Sequence, residues 1–503
     1  MEHELELGGE AGLSPAGVVL LSRSDTRVRL AAAAAARIAA AREVVLAHLD
    51  DAATPVYGLT TGVGSLKRVR VSASDSVRFN AATIRDHAGA VGPFLAPALA
   101  RAVVAVRVQG LAAGRAGVAL DVVRTMVDMY NTGLAPRVRA WGSVGMSDLA
   151  VLAGIARTLL GEGEVWRQGR VQRARRALRA AGIATPVPRA QDALGLINAN
   201  SFGLTLSALA VERAAGLADT SLVALTFTMA ALRANLAALD PVVAVASGWR
   251  AQGEVAARLR RLLASQGGGD TSARELQDPI SVRSAAHVHG SLLTALQEAR
   301  SAVGVGLQAG SENPLVDTEG RRMVSCGNFD TTPLVLAVDR LRDAVQRCLH
   351  LSARRSGLLL TQAHSGLPTN LSERSGDYGL GVLHHVSAAL EARGAFLAQR
   401  TPLQAAAVAE GIEDYGTNLP LAAEALYGVL EAWRLAIALE AYVAVTAVGR
   451  RQAAPPPALA EEFRRVEAAA RAQGAHGERV EAVAAALSGP WQGWFVPAEG
   501  TMA

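Results

Sequence analysis

The chain of 503 residues has a single lysine, Lys67, two cysteines and only 4% aromatic residues. Each scarcity removes a class of explanation. Two cysteines, Cys326 and Cys348, cannot build a disulfide framework, and they suit a reducing compartment, so a cytoplasmic protein is expected. The net charge of +5 comes from arginines scattered along helical stretches, so nucleic-acid binding is not expected. The basic run over 167–179 reads as a solvated helix face. No metal-ligand spacing is present: His287 and His289 stand two apart and point to different faces of a helix, and His384 and His385 are adjacent. No nucleotide-binding motif occurs. The first six residues are acidic, without a basic segment ahead of an apolar core, so no secretory signal is expected. Charge-free apolar stretches such as 221–232 are too short to span a bilayer, which argues for core helices and against a membrane protein.

What is abundant is alanine, leucine, valine and arginine, with half of the residues hydrophobic. That profile predicts a mainly α fold of long packed helices. Helical periodicity predicts a helix over 28–49 and one long helix over 101–130, broken near Gly110 and Gly114. Long apolar helical patterns follow over 198–239, 284–306, 333–360, 380–397 and 419–448, and five such helices argue for a bundle. The predicted organisation is an N-terminal domain over 1–197, a central long-helix bundle over 198–450, and a helical tail over 451–503. The tail begins with the stiff Ala453-Ala454-Pro455-Pro456-Pro457 and ends in the aromatic patch Trp491-Gln492-Gly493-Trp494-Phe495.

Glycine-rich loops hold the informative motifs. Tyr57-Gly58-Leu59-Thr60-Thr61-Gly62 and Trp141-Gly142-Ser143-Val144-Gly145-Met146-Ser147-Asp148-Leu149 come first. In order behind them stand Leu196-Ile197-Asn198-Ala199, Gln277-Asp278-Pro279-Ile280-Ser281-Val282-Arg283, His287-Val288-His289-Gly290, Glu312-Asn313-Pro314-Leu315, Gly327-Asn328-Phe329 and Glu413-Asp414. Asp86-His87-Ala88-Gly89 lies between the first two. Together these resemble the signature segments of the histidine and phenylalanine ammonia-lyases, over roughly 57–415.

The resemblance implies an L-aspartase-like helical bundle with a smaller N-terminal loop-and-helix region. It also implies a homotetramer, with each site assembled from three subunits. Tyr57, on a lid loop, is then the general base, and it can serve only if nearby donors or cations pull down a phenol that ordinarily titrates near 10. Arg283 clamps a substrate carboxylate through its fork of donors, with Gln277 from the same motif and Phe329 also lining the pocket. Asn198 hydrogen-bonds the substrate amine or carboxylate. His87 and Glu413 match the pair that faces imidazole in histidine-specific members, implying a polar or heteroaromatic substrate side chain.

The departures matter as much. The family carries Gly-Ser-Val-Gly-Ala-Ser-Gly-Asp-Leu, whose Ala-Ser-Gly cyclises to a methylidene-imidazolone (MIO), the electrophile of the reaction. This chain has Met146, keeps Ser147 and goes directly to Asp148. Asp148 must then supply the nucleophilic amide in a loop one residue shorter, so no MIO is expected, and no other cofactor or metal. The triplet Ala246-Ser247-Gly248 is intact but far from the signature, and reads as chance. Ile280 stands where the family has a catalytically important tyrosine, and Gln191-Asp192 where it has Lys-Glu.

The resulting expectation is an ammonia-lyase-like enzyme that works without MIO, with Tyr57, Ser147 and Asp148 in the catalytic region. Its small-molecule substrate, free or carrier-tethered, would bring its own activation: an acidified proton or a leaving group better than ammonia. Backbone donors near Ser147, with Arg283, would hold developing negative charge. Elimination, cyclisation and conjugate addition all suit such a site. Two other readings stand beside it: a catalytically dead binding or regulatory homologue, and a histidine ammonia-lyase with an unusual prosthetic group.

Overall fold

In the computed structural model of the chain, the described residues are 3–51, 54–263, 273–404, 406–489 and 495–496. Five long helices form its body: α1 (Ser201–Leu232), α2 (Ala285–Gln308), α3 (Thr332–Leu360), α4 (Val382–Leu397) and α5 (Leu419–Arg450). Each lies within a few residues of a segment whose apolar pattern predicts a helix; α1 is shorter, giving way at Arg233 to a left-handed cap. Helix α5 is the axis of the bundle, packing along α1 and α3 and taking α4 on another side. Helices α1 and α5 are long and apolar enough to cross a membrane, but both are apolar nearly all round because the bundle surrounds them. In α5, 83% of the most apolar window is buried inside the protein.

Polar ties fix how the helices register. Arg355 of α3 and Glu440 of α5 are completely buried and meet in a two-pronged pair, with Nε–Oε1 at 2.5 Å and Nη2–Oε2 at 2.8 Å. Thr228 of α1 donates to Glu440 Oε1 at 2.9 Å, so one carboxylate pins three helices. A second buried pair, Arg107 with Glu312 at 3.1 Å, joins the helix Pro97–Leu111 to the segment after α2. Glu312, part of a signature segment, is therefore a structural carboxylate.

The N-terminal region departs from the helical pattern in two places. Residues Thr26–Leu30 form a strand, paired in parallel with His3–Leu7, and the helix begins only at Ala32. The reason is the alternation around Val28, where Thr26 and Val28 point inward and Arg27 and Arg29 outward. The stretch 101–130 is two helices, Pro97–Leu111 and Leu120–Asn131, parted by a wider break than its glycines predict. The helices Ala460–Ala470 and His476–Ser488 pack on α5, and Phe495–Val496 pairs antiparallel with the strand Val91–Leu95. Trp491–Trp494 of the expected aromatic patch lie outside the described residues. One continuous apolar cluster draws buried residues from 1–197, 198–450 and the described tail alike, from Leu7 to Ala484. No group of three or more His, Cys, Asp or Glu side chains suits a metal ion among the described residues.

Candidate active site

The degenerate signature forms a loop in front of α1, and the segment Asn198-Ala199-Asn200 grips it residue by residue. Ser147 Oγ donates to Asn198 Oδ1, and Ser147 N–H donates to Asn200 Oδ1 at 3.1 Å. Asp148 N–H donates to the Ala199 carbonyl at 2.7 Å. The two asparagines pass the hold on: Asn198 Nδ2 donates to the Asn313 carbonyl and Asn200 Nδ2 to the Phe329 carbonyl, each at 2.6 Å. Ser147 sits in the left-handed region at φ 68°, a conformation that favours glycine. Gly145, at φ 76°, lies against the start of α5, where a Cβ would meet Thr417 Oγ1 at 2.4 Å.

Three sequence expectations change here. Asp148 is not placed to touch a substrate. It is fully buried, its Oδ1 accepts from Ser143 Oγ at 2.6 Å, and its Oδ2 accepts from Gly203 N–H at 2.9 Å. That carboxylate caps the N-terminus of α1, where anions are favoured. With no cation beside it among the described residues, burial pushes its pKa up to about 6 against the pull of the Ser143 and Gly203 bonds. Asn198 is committed on both sides of its amide to protein partners. The backbone donors expected to hold negative charge at Ser147 and Asp148 are also engaged. The amide of Met146, half-buried at the tip of the loop, has no acceptor among the described residues.

Tyr57, His87 and Glu413 are brought together within one chain. The lid loop lies over the helix Asp192–Ile197: Gly58 is at φ 70°, and a Cβ there would strike Leu194 Cδ2 at 2.4 Å. Its other end reaches the 408–413 segment, and Gly64 faces Ala409. Tyr57 Oη accepts from Gly64 N–H at 2.8 Å. Burial raises its phenol pKa, the Gly64 bond opposes this, and Glu413 adds to the rise. The lowering that a tyrosine base requires is therefore not supplied inside a single chain. The Glu413 carboxyl is also raised by burial, with His87 drawing it back. His87 Nδ1–H donates to the Thr83 carbonyl at 2.8 Å, which leaves Nε2 as its free ring nitrogen.

Gln277 and Arg283 are paired with each other and lie elsewhere. Arg283 is exposed, and its Nη1 donates to Gln277 Oε1 at 2.7 Å, beside a cavity of about 330 Å³. Helix α2 separates them from the loop. Arg283 precedes its first residue by two positions, whereas Asn313, bonded to Asn198, follows its last by five. Twenty-four residues span about 36 Å, and five extended residues running back cover at most about 18 Å. Arg283 and Asn198 therefore lie toward opposite ends of α2.

Sequence reasoning did not single out Asn200, Thr331, Thr332 or Thr417, and it noted Tyr415 only as a departure beside Glu413-Asp414. Thr331 and Thr417 share a hydrogen bond at 2.6 Å, and Thr417 Oγ1 donates to the Gly145 carbonyl at 2.9 Å. Thr332 Oγ1 and Tyr415 Oη lie 2.7 Å apart. The repeated asparagine in Asn198-Ala199-Asn200 was the available signal for Asn200.

The profile of the aromatic amino acid lyase family matches residues 13–472. The chain belongs to that family. It is 34% identical to a histidine ammonia-lyase of Geobacillus kaustophilus over 441 residues, covering 86% of this chain and 87% of the relative. Among solved structures, the histidine ammonia-lyase of Trypanosoma cruzi aligns with a TM-score of 0.88 at 27% identity, over 96% of this chain and 93% of that one. Ergothionase, an ergothioneine-degrading enzyme from Treponema denticola, aligns with a TM-score of 0.90, covering 96% and 98% of the two chains. At 22% identity that likeness is one of fold.

Within this aromatic amino acid lyase, the remaining departures have structural explanations. Ala246-Ser247-Gly248 is the end of the helix Pro241–Ser247, which Gly248 caps. Asp192 is a buried anchor: it pairs with Arg42 at 3.1 Å and accepts from the amides of Ala119 and Arg189. Ile280 is more than half exposed, on the same surface as Arg283.

Proposed function

We propose that the chain is a lyase that acts without MIO on an amino-acid-like carboxylate bearing a heteroaromatic side chain, with imidazole favoured. The observation that carries the reading is the position of the Asp148 amide. Ring formation requires that nitrogen to turn on the Met146 carbonyl. Here it points to Ala199, while the side chain of the same residue is tied into the cap of α1. Residues 146–148 therefore do not suit the MIO, and no step is assigned to it.

The reaction follows from what remains. A base removes the β-proton, the Cα–N bond breaks with its electron pair leaving on nitrogen, and an α,β-unsaturated carboxylate forms. Free ammonia is a poor leaving group for such a step, whereas a quaternary ammonium departs as a neutral tertiary amine. Tyr57 is the proposed base. Its phenol needs a neighbouring cation, and the exposed Arg283 of a second subunit in a homotetramer is the group proposed to supply it. The same guanidinium would hold the carboxylate. Glu413 accepts from the substrate imidazole N–H, and His87 presents Nε2 to the other side of the ring.

The raised Tyr57 phenol favours a second reading, a binding homologue without turnover. One assay separates the two. Purified protein is incubated with L-histidine, N,N,N-trimethyl-L-histidine and ergothioneine, while the released amine and the near-ultraviolet absorbance of a conjugated acrylate are followed. The proposal predicts trimethylamine from a quaternised substrate and no ammonia from histidine. Ammonia from histidine overturns it. Tight binding of these compounds without product supports the binding homologue.

A further inference from the structure

A second cleft, of about 650 Å³, opens between α5, the helices Ala460–Ala470 and His476–Ser488, and the loop ahead of α4. It lies away from the signature loop. Tyr442 on its floor stands 23 residues beyond Leu419, where α5 begins beside the signature loop, or about 35 Å along the helix. That volume is in the range of small-molecule sites.

The floor is built rather than incidental. Tyr442 is 2% exposed, and its hydroxyl lies 3.0 Å from His476 Nδ1 and 3.4 Å from Arg479 Nη1. Because the guanidinium can only donate, the phenol oxygen accepts from Arg479, and it shares a second hydrogen bond with His476 Nδ1. Burial and the Arg479 charge keep this histidine below its ordinary pKa, so it is neutral at pH 7.

Charge accounting in the cleft leaves a specific remainder. Arg450 pairs with Glu373 at 2.6 Å, and Arg471 pairs with Glu467 at 2.8 Å. Arg479 has no carboxylate partner among the described residues; its Nε donates to the Ala472 carbonyl. Asp377, on the opposite loop, has no cationic partner among the described residues. One guanidinium and one carboxylate are thus left over, with apolar wall from Leu380, Val445 and Ala470 between charged rims. A lone anion would leave Asp377 unmatched, and a lone cation would leave Arg479 unmatched.

We propose that this cleft binds the zwitterion of a free amino acid, with its carboxylate on the Arg479 fork, its ammonium on Asp377 and its side chain against the apolar wall. The site is independent of the reaction proposed above.

The test is equilibrium dialysis of the full chain with labelled L-histidine, L-phenylalanine and L-glutamate, repeated with Arg479→Gln and Asp377→Asn. Both residues are at the surface of the cleft and outside the candidate active site, and thermal unfolding verifies that each variant is folded. The proposal predicts that each variant weakens binding of the same amino acid about tenfold or more, the scale of one charge-assisted hydrogen bond. It also predicts that N-acetylation of the ligand abolishes this component. Should Arg479→Gln fail to fold, Asp377→Asn decides alone. Unchanged binding in the folded variants, or no binding of any of the three amino acids at millimolar concentration, overturns the proposal. Loss in Arg479→Gln with full retention in Asp377→Asn also overturns it, identifying a simple anion site.

Discussion

The backbone amide of Asp148 donates to the carbonyl of Ala199 at 2.7 Å, and this is the nitrogen that would have to close an MIO ring on Met146. The same residue caps α1 with a carboxylate that has no cation beside it among the described residues.

A pH dependence follows from that carboxylate. Its folded pKa of about 6 lies above the ordinary 3.8, so the native state holds a proton that the unfolded chain has released. Stability therefore falls as pH rises from about 4 to about 6, by roughly 3 kcal/mol for this group. Asp148→Asn is expected to flatten that part of the profile, measured as urea-unfolding free energy at pH 4, 5, 6 and 7. An equally steep decline in the variant assigns the effect to another group.

The Arg355–Glu440 pair makes the opposite kind of prediction. Either Arg355→Met or Glu440→Gln strands a buried charge and is expected to destabilise the protein by about 3–5 kcal/mol. Replacing both, Arg355→Met with Glu440→Leu, is expected to recover most of the loss in thermal unfolding. A double variant as unstable as the singles would mean that Thr228 and the helix backbones depend on the pair itself.

Tyr57→Phe is expected to lower kcat/KM on a productive substrate by at least about 100-fold, the scale of a lost general base. Stability should change by only about 1 kcal/mol, because among the described residues the one hydrogen bond of this hydroxyl is to Gly64 N–H. Turnover equal to wild type transfers the proton to His87 or Glu413.

Arg283 and Asn198 lie toward opposite ends of α2, and the proposed site draws Arg283 from a second subunit. Arg283→Gln and Tyr57→Phe proteins are each expected to be inactive. Unfolded and refolded together in equal amounts, they should regain roughly a quarter of wild-type activity if assembly is random and each site draws the two residues from different subunits. No recovery, with both variants confirmed to co-assemble, places both residues in one chain's site.

The five long helices were legible because a continuous apolar pattern has few alternatives to burial in a bundle. The signature residues were equally legible as a set. Their roles were less so. Asp148 reads in sequence as a catalytic neighbour of Ser147, but its job is set by the amides of α1, whose approach no local pattern encodes. Thr26–Leu30 looked helical beside an alanine run, yet pairing with His3–Leu7, a contact made across the intervening helix, decided it as a strand. The separation of Arg283 from Asn198 depends on the length of α2, which the sequence did contain, in the distance between their motifs.

The most direct test of the central claim is the intact mass of the purified protein together with that of the peptide spanning Met146-Ser147-Asp148. The account predicts the unmodified mass in both. A loss of two water molecules localised to that peptide would show that the ring forms despite the Ala199 bond, and would contradict the account.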